Sequence, residues 1–234
     1  MGVVEASRTW LYEQLDGVAE YFTLKKENGR LQQENEDLRN QLNVYLTADT
    51  LRLVASSDSI KHLPISYLSA KLIKTSTNKT KNLLAINVGR DQGVESDMGV
   101  ISSDGAVGVI IQVSDNYAKV LPIINPDSHT SARLVRSNTE GILSWDGVSY
   151  REAVLTGVPQ HINVQVGDTV VTSSNSLIYP KGVMLGTVTS YEVKMGNLYE
   201  IKVALSVDYK RLEDVYVVKS EGRAELDSLF NGDL

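Results

Sequence analysis

A leucine recurs every seven residues near the start of the chain, at Leu24, Leu31 and Leu38, inside a segment rich in charged residues and glutamine. Leucines at this spacing lie on one stripe of an α-helix, and such a stripe is typical of helices that pair in a coiled coil. The stripe constrains the fold strongly, because it predicts an apolar seam that needs a second helix to cover it.

The seam also contains polar residues. With the leucines at heptad position d, two consecutive a positions are Asn28 and Asn35. Asparagines at a cost stability but can pair across two strands and fix the register. We therefore predict a homodimer whose interface consists of Tyr21, Leu24, Asn28, Leu31, Asn35, Leu38, Leu42 and Tyr45.

The charges beside this seam favour a parallel dimer. A parallel pair sets Glu20 of one helix against Lys25 of the other. It likewise sets Glu34 against Arg39, so both pairs are opposite in sign. The alternative is that the leucines form the apolar face of a helix docked on the rest of the chain. The asparagines at a argue against that alternative, because a docked face would be apolar throughout.

After Pro64 the sequence changes to short Val- and Ile-rich runs separated by glycine-bearing turns. About twelve runs are strand-like, from Ser66–Ile73 to Val215–Val218. No helical period of any length separates them, which argues against βαβ units and favours small antiparallel barrels or sandwiches.

Two stretches of this region resemble each other, residues 97–110 and residues 167–188. In each, a strand leads through a glycine-bearing turn into a second strand that begins with glycine. Glycine at that place is typical of a small barrel that turns a sharp corner. The expected fold is thus mainly β: an N-terminal α-helical coiled coil followed by two small six-stranded antiparallel β-barrels.

The composition excludes several kinds of function. The formal net charge is −6, which leaves no basic stripe for a phosphate backbone, so nucleic-acid binding is not expected. The absence of cysteine rules out disulfides and thiolate sites. The three histidines lack metal-ligand spacing, and we expect neither a metal nor a cofactor.

Catalysis needs separate consideration, because two six-stranded barrels also describe trypsin-like hydrolases. The chain has His62, His129 and His161. A serine nucleophile needs backbone donors beside it, commonly at glycines, and Ser173–Ser176 has no adjacent glycine. Asp127, Ser128 and His129 are consecutive, too close for a strand to aim them at one another. We expect no catalytic residue; the alternative is a degenerate trypsin-like hydrolase.

Several motifs, taken in order along the chain, resemble the MreC family of rod-shape-determining proteins. The resemblance covers roughly Ser66 to Lys219, and order and spacing together make it specific. The motifs are NVGRDQGV at Asn87–Val94, GAVGVI at Gly105–Ile110, VGDTVVTS at Val166–Ser173, YPKGVMLGTV at Tyr179–Val188 and VDYKRLEDV at Val207–Val215.

The resemblance implies a non-catalytic scaffold of the bacterial cell-elongation machinery, needed for rod cell shape. It implies a place on the periplasmic or extracytoplasmic side of the inner membrane, with one N-terminal membrane span, ahead of this sequence, as the anchor. The implied partners are MreD, MreB, the peptidoglycan synthase RodA and its class B penicillin-binding protein. The implied working unit is a homodimer or a higher assembly.

The resemblance also implies that one barrel is inserted in the other. We expect a helical dimerisation segment at 1–62, a first barrel at 63–104 plus 181–220, a second barrel at 105–180, and a flexible C-terminal tail at 221–234.

Overall fold

A computed structural model describes residues 23–42, 65–173, 178–194 and 196–220. Within these ranges the protein has one α-helix and twelve β-strands, and the strands form two closed barrels of six strands each. Every strand pairing is antiparallel. The expected pair of six-stranded antiparallel barrels is confirmed.

The helix, α1, spans residues 23–42. A short 3₁₀ turn at Arg90–Gln92 lies between the second and third strands. The strands are β1 (Ile65–Thr75), β2 (Leu84–Ile86), β3 (Gly99–Ile101), β4 (Ala106–Val113), β5 (Ala118–Pro122), β6 (His129–Leu134), β7 (Thr139–Ser144), β8 (Glu152–Pro159), β9 (Thr169–Thr172), β10 (Met184–Lys194), β11 (Leu198–Leu205) and β12 (Asp214–Ser220).

The first barrel closes in the order β1-β12-β3-β4-β5-β2, and the second in the order β10-β11-β8-β7-β6-β9. This division differs from the sequence-based limits of 63–104 plus 181–220 and 105–180. β4 and β5 belong to the first barrel, because β4 pairs with β3 across the turn at Gly105. β10 and β11 belong to the second barrel, because β10 pairs with β9.

Alternation of side chains along each strand builds the two cores. In β6, Thr130, Ala132 and Leu134 are buried while His129 and Ser131 are exposed. A period of two residues places one set inside the barrel and the other in solvent. Both interiors are filled mainly by valine, isoleucine, leucine and alanine.

The similar stretches noticed in the sequence occupy matching places in the two barrels. Each is an antiparallel pair within one barrel, β3 with β4 and β9 with β10. At Gly108 an added Cβ would collide with the carbonyl oxygen of Leu121, and at Gly186 with that of Ala204. Glycine is needed at both places because the next strand approaches the backbone closely.

The segment between β11 and β12 ties the barrels together. Arg151, just before β8 in the second barrel, donates from Nη2 to Oδ2 of Asp208 at 2.8 Å. The buried Tyr209 donates its hydroxyl to the carbonyl oxygen of Val107 in the first barrel at 2.7 Å. Neighbouring residues of one segment therefore contact both barrels.

Candidate interaction surface on α1

α1 is a solvent-exposed helix with a charged outer face. Arg30 pairs with Glu27 at 2.7 Å and with Glu34 at 3.1 Å. Pairs at these spacings lie one helical turn apart and stabilise a helix modestly. Among residues 23–42 no apolar side chain is buried. The contacts of α1 with the first barrel are therefore polar.

A polar face of α1 lies against strand β1. The side-chain amide of Asn40 accepts from the backbone N–H of Tyr67 at 2.7 Å and donates to its carbonyl oxygen at 3.2 Å. Glu36 accepts from the N–H of Ser69 at 2.9 Å. These side chains supply hydrogen bonds to β1 at an edge that β2 does not reach, since the part of β1 that pairs with β2 is Leu72–Thr75.

The same face continues toward the N-terminus of α1. The side chain of Gln32 donates to the carbonyl oxygen of Ala70 at 3.1 Å. Gln32 is only 8% exposed and is the one fully buried residue of the described helix. Residues 32, 36 and 40 are spaced by four, so they line one face of the helix.

Arg39 and two tyrosines complete the contact. Its guanidinium lies 5.8 Å from the ring centroid of Tyr67 and 5.0 Å from that of Tyr216. Both distances are those of a cation–π interaction. Burial raises the pKa of the Tyr216 hydroxyl, and the nearby charge of Arg39 acts in the opposite direction.

The leucines point away from the barrel. Leu24, Leu31, Leu38 and Leu42 are 61%, 44%, 56% and 58% exposed. At 100° per residue, the leucine stripe is turned by roughly 140° from the centre of the docked face at residues 32, 36 and 40. The alternative that the leucines dock on the chain's own barrel is therefore wrong for the described helix, which docks through its polar side.

The remaining predicted seam residues fall into two groups. Asn28 and Asn35 are exposed. Asn28 donates to Oδ2 of Asp214 at 3.3 Å, and Asn35 donates to the carbonyl oxygen of Leu31 at 2.9 Å. Tyr21 and Tyr45 lie outside the described residues.

The charged pairs predicted beside the seam also need revision. Arg39 lies over the tyrosine rings of the barrel, and Glu34 pairs with Arg30 of its own helix. The pairing of Glu34 with Arg39 across a dimer is therefore not available while α1 is docked in this way. Glu20, the partner expected for Lys25, lies outside the described residues.

An apolar patch lies at the end of the β10–β11 hairpin. Tyr191, Val193 and Leu198 are exposed. Val193 pairs with Tyr199 across the ladder, and the ring of Tyr191 meets that of Tyr199 edge-on at 5.3 Å. Exposed aromatic and aliphatic side chains in one place are typical of protein contact surfaces.

The described histidines do not form a catalytic arrangement. His129 lies at the exposed start of β6, and His161 lies in the turn after β8. Within the described ranges, neither imidazole has a hydrogen bond to a serine or a carboxylate, and no group of three or more His, Asp or Glu side chains could hold a metal ion. His62 lies outside the described residues.

No helix among residues 23–42, 65–173, 178–194 and 196–220 is long and apolar enough to cross a membrane.

The polar face by which α1 docks on β1 was not predicted from the sequence. The signal for it was the spacing of Gln32, Glu36 and Asn40, three long or amide-bearing side chains four residues apart on a face without leucine.

The curated relatives that this chain resembles carry the same description. A cell shape-determining protein MreC from Caulobacter vibrioides is 27% identical over 219 residues, which are 90% of this chain and 61% of that protein. The MreC of Listeria monocytogenes is 26% identical over 95% of this chain and 73% of its own length. The chain thus spans about three fifths of the first relative and about three quarters of the second.

Solved structures share the fold. A structure described as MreC from Listeria monocytogenes matches with a TM-score of 0.63 and 24% identity, over 92% of this chain and 96% of that one. The MreC in a complex with penicillin-binding protein PBP2 from Helicobacter pylori matches with a TM-score of 0.54 and 18% identity, over 67% of this chain and 99% of that one.

A family model matches the part of the chain that forms the two barrels. Residues 72–219 match the family described as "Rod shape-determining protein MreC, barrel core". This range begins inside β1 and ends inside β12, so it contains nearly all of both barrels. The chain belongs to the MreC family of cell shape-determining proteins.

Proposed function

We propose that this protein is a non-catalytic scaffold of the cell-elongation machinery that dimerises through the leucine stripe of α1. The observation that carries the proposal is the orientation of α1. The side chains of its polar face form hydrogen bonds with β1, and its four leucines are exposed to solvent. Apolar area exposed on one stripe of a helix is stabilised by burial against a second helix.

The two exposed asparagines favour a defined register. In a two-stranded parallel seam, Asn35 of one copy faces Asn35 of the other. Asn28 faces Asn28 in the same seam only when its amide exchanges the 3.3 Å hydrogen bond to Asp214 for one across the dimer. Slipping the register by one heptad leaves an amide against leucine. The proposed interface is therefore Tyr21, Leu24, Asn28, Leu31, Asn35, Leu38, Leu42 and Tyr45, in parallel orientation.

The proposed partners follow from the family and from one solved complex. The complex of PBP2 with MreC from Helicobacter pylori supports a class B penicillin-binding protein as a partner of this chain. Contacts with MreD, MreB and RodA, and possession of a membrane anchor that places the barrels on the periplasmic or extracytoplasmic side of the inner membrane, are proposed from family membership. The patch at Tyr191 and Val193 offers partners an exposed apolar surface.

A scaffold role without catalysis is supported by the positions of the described histidines. A hydrolase would need an imidazole oriented by a carboxylate and bonded to a hydroxyl. His129 and His161 have neither contact within the described ranges. Treatment of the purified protein with a fluorophosphonate probe should leave every serine unlabelled, and stoichiometric labelling of one serine would establish the hydrolase instead.

The dimer is tested by sedimentation equilibrium. The double variant Leu31→Ala with Leu38→Ala removes two exposed side chains from the seam and should change a dimer into a monomer, because the apolar area at the centre of the seam is lost. The matched control is Gln33→Ala with Gln41→Ala, which are exposed positions outside a and d. Equal masses for the two double variants would show that the leucines do not join the subunits.

The cellular role is tested with the same two variants. Cells of the source bacterium that depend on the Leu31→Ala, Leu38→Ala protein should lose their normal shape, while the control variant should maintain it. Normal shape with a monomeric protein would separate the scaffold function from dimerisation.

A further inference from the structure

The edge of β1 from Tyr67 to Ser69 is covered by side chains of α1 instead of a strand. In this half of β1, one side pairs with β12. The other side is beyond the reach of β2, and α1 lies there. An unpaired strand edge presents backbone donors and acceptors to any extended chain that meets it.

α1 supplies what a neighbouring strand would supply. An antiparallel strand gives a facing residue one carbonyl oxygen and one N–H group. The single amide of Asn40 does both for Tyr67, at 2.7 Å and 3.2 Å. Glu36 then stands in for the next carbonyl, toward the N–H of Ser69. Gln32 adds a hydrogen bond to the carbonyl oxygen of Ala70, a residue whose backbone polar groups face β12 instead of the covered edge.

Beside this edge lies a place for a cation. The rings of Tyr67 and Tyr216 hold the guanidinium of Arg39 within 5.8 Å and 5.0 Å of their centroids. The carboxylate of Asp214 lies on the same side, where it accepts from Asn28 and pairs with Lys71 at 3.8 Å. The surroundings of the edge therefore favour a positively charged side chain.

The hold of α1 on this edge is polar. Gln32 is its one buried residue within 23–42, and its leucines are exposed. Hydrogen bonds to a strand edge can be exchanged for those of another chain at little net loss, because every donor and acceptor is satisfied in both states. Burial of apolar side chains would have resisted such an exchange.

We propose that the edge Tyr67–Ser69, with the rings of Tyr67 and Tyr216, is a binding site for an extended, arginine-bearing segment of a partner protein, and that α1 occupies this site as a displaceable cover. The partner segment adds to the sheet beside β1 and places its arginine where Arg39 lies. Main-chain pairing supplies affinity, and the arginine supplies selectivity. This site is separate from the leucine stripe and does not depend on dimerisation.

The test uses a fluorescein-labelled peptide of sequence TVTRVTV and measures fluorescence anisotropy with the full chain. Glu36→Ala weakens the cover and should bind the peptide about tenfold more tightly than the unaltered protein, because one charge-assisted hydrogen bond no longer competes. Asp37→Ala is the matched control, since it removes an exposed carboxylate from the same turn. It should bind as the unaltered protein does.

Two further peptides separate strand addition from other binding. TVTQVTV lacks the cation and should bind more weakly to Glu36→Ala. TVTRVTV with N-methyl groups on alternate residues keeps the side chains but loses the ladder, and it should not bind. Equal affinity of the N-methylated and unmethylated peptides, or equal affinity of the Glu36→Ala and Asp37→Ala proteins, would overturn the proposal, as would no binding to any variant.

Hydrogen exchange gives a readout that does not need a peptide. If the cover opens, the amides of Tyr67 and Ser69 should exchange faster in Glu36→Ala than in Asp37→Ala. The amides of Leu68 and Ala70 point to the β12 side of the same strand and should exchange equally in both. Faster exchange at all four amides would mean loss of the barrel, not opening of the cover, and would contradict the proposal.

Discussion

The side-chain amide of Asn40 pairs with both backbone polar groups of Tyr67, accepting at 2.7 Å and donating at 3.2 Å. One side chain of helix α1 thus makes the same two hydrogen bonds to β1 that a residue of a neighbouring strand would make. This contact fixes which side of α1 faces the barrel, and so leaves the leucines facing outward.

Removal of that amide should loosen α1 from the barrel. In Asn40→Ala the N–H and carbonyl of Tyr67 lose two hydrogen bonds, each worth about 0.5 to 1.5 kcal/mol net. Limited proteolysis should cut within α1 faster than in the unaltered protein. Gln41→Ala removes an amide from the next, exposed position and should change nothing; equal cleavage of both variants would show that the Asn40 contact does not hold the helix.

Gly29 lowers the stability of α1, and an alanine at this position should raise it. An added Cβ meets nothing within 4 Å, and glycine in a helix costs about 1 kcal/mol relative to alanine. Gly29→Ala should therefore raise helix content, measured by circular dichroism at 222 nm. The reverse change at an exposed position of the same helix, Gln33→Gly, should lower it. A loss of helix signal in Gly29→Ala would contradict the open surroundings of this residue.

At Gly186, in contrast to Gly29, the neighbouring strand β11 leaves no room for a side chain. An added Cβ would collide with the carbonyl oxygen of Ala204 and lie 2.8 Å from Cγ1 of Val203. Gly186→Ala should lower the free energy of unfolding by about 1 to 3 kcal/mol, the usual cost of overpacking. Urea denaturation measures it, with Ser190→Ala on the exposed part of β10 as control. A stability equal to that of the control would mean that β10 and β11 lie farther apart.

Alkaline pH should destabilise the protein through two buried tyrosines. Burial raises the pKa of Tyr179 and, together with the charge of Tyr179, that of Tyr209. In the unfolded chain a tyrosine ionises near pH 10, whereas these two stay protonated in the fold. Stability is thus retained below about pH 10 and falls above it, by about 1.4 kcal/mol per pH unit for each group.

Urea midpoints between about pH 9 and about pH 11.5 measure this slope. Tyr179→Phe and Tyr209→Phe should each reduce it, while Tyr117→Phe, at an exposed position, should leave it unchanged. If Tyr117→Phe reduced the slope as much as the buried substitutions, burial would not be its cause.

The sequence predicted the strands well because their signals are local. The first and last runs proposed from the sequence, Ser66–Ile73 and Val215–Val218, lie inside β1 and β12, and the expected number of about twelve strands matches the twelve that the structure describes. Alternating valine and isoleucine between glycines directly report a half-buried strand. The repeated motif was also useful, because Gly108 and Gly186 occupy the same kind of close approach in the two barrels.

The division of strands between the barrels could not be predicted in the same way. A glycine-bearing turn such as that at Gly105 is equally suitable for a boundary between barrels and for a hairpin within one. The pairing of β4 with β5, Val109 opposite Leu121, depends on contacts between strands that no local pattern encodes. The docked face of α1 was missed for a similar reason, since Asn40 and Glu36 are ordinary surface residues until β1 is placed beside them.

Cross-linking between single cysteines tests the central claim most directly, because the chain has no cysteine of its own. In a parallel, in-register dimer, Leu31→Cys places two thiols opposite each other at a d position, so mild oxidation should yield a disulfide-linked dimer on non-reducing gels. Gln33→Cys, on another face of α1, should give no disulfide-linked dimer, although the subunits still pair without a covalent link. Absence of a cross-link at residue 31, or equal cross-linking at residue 33, would contradict pairing through the leucine stripe.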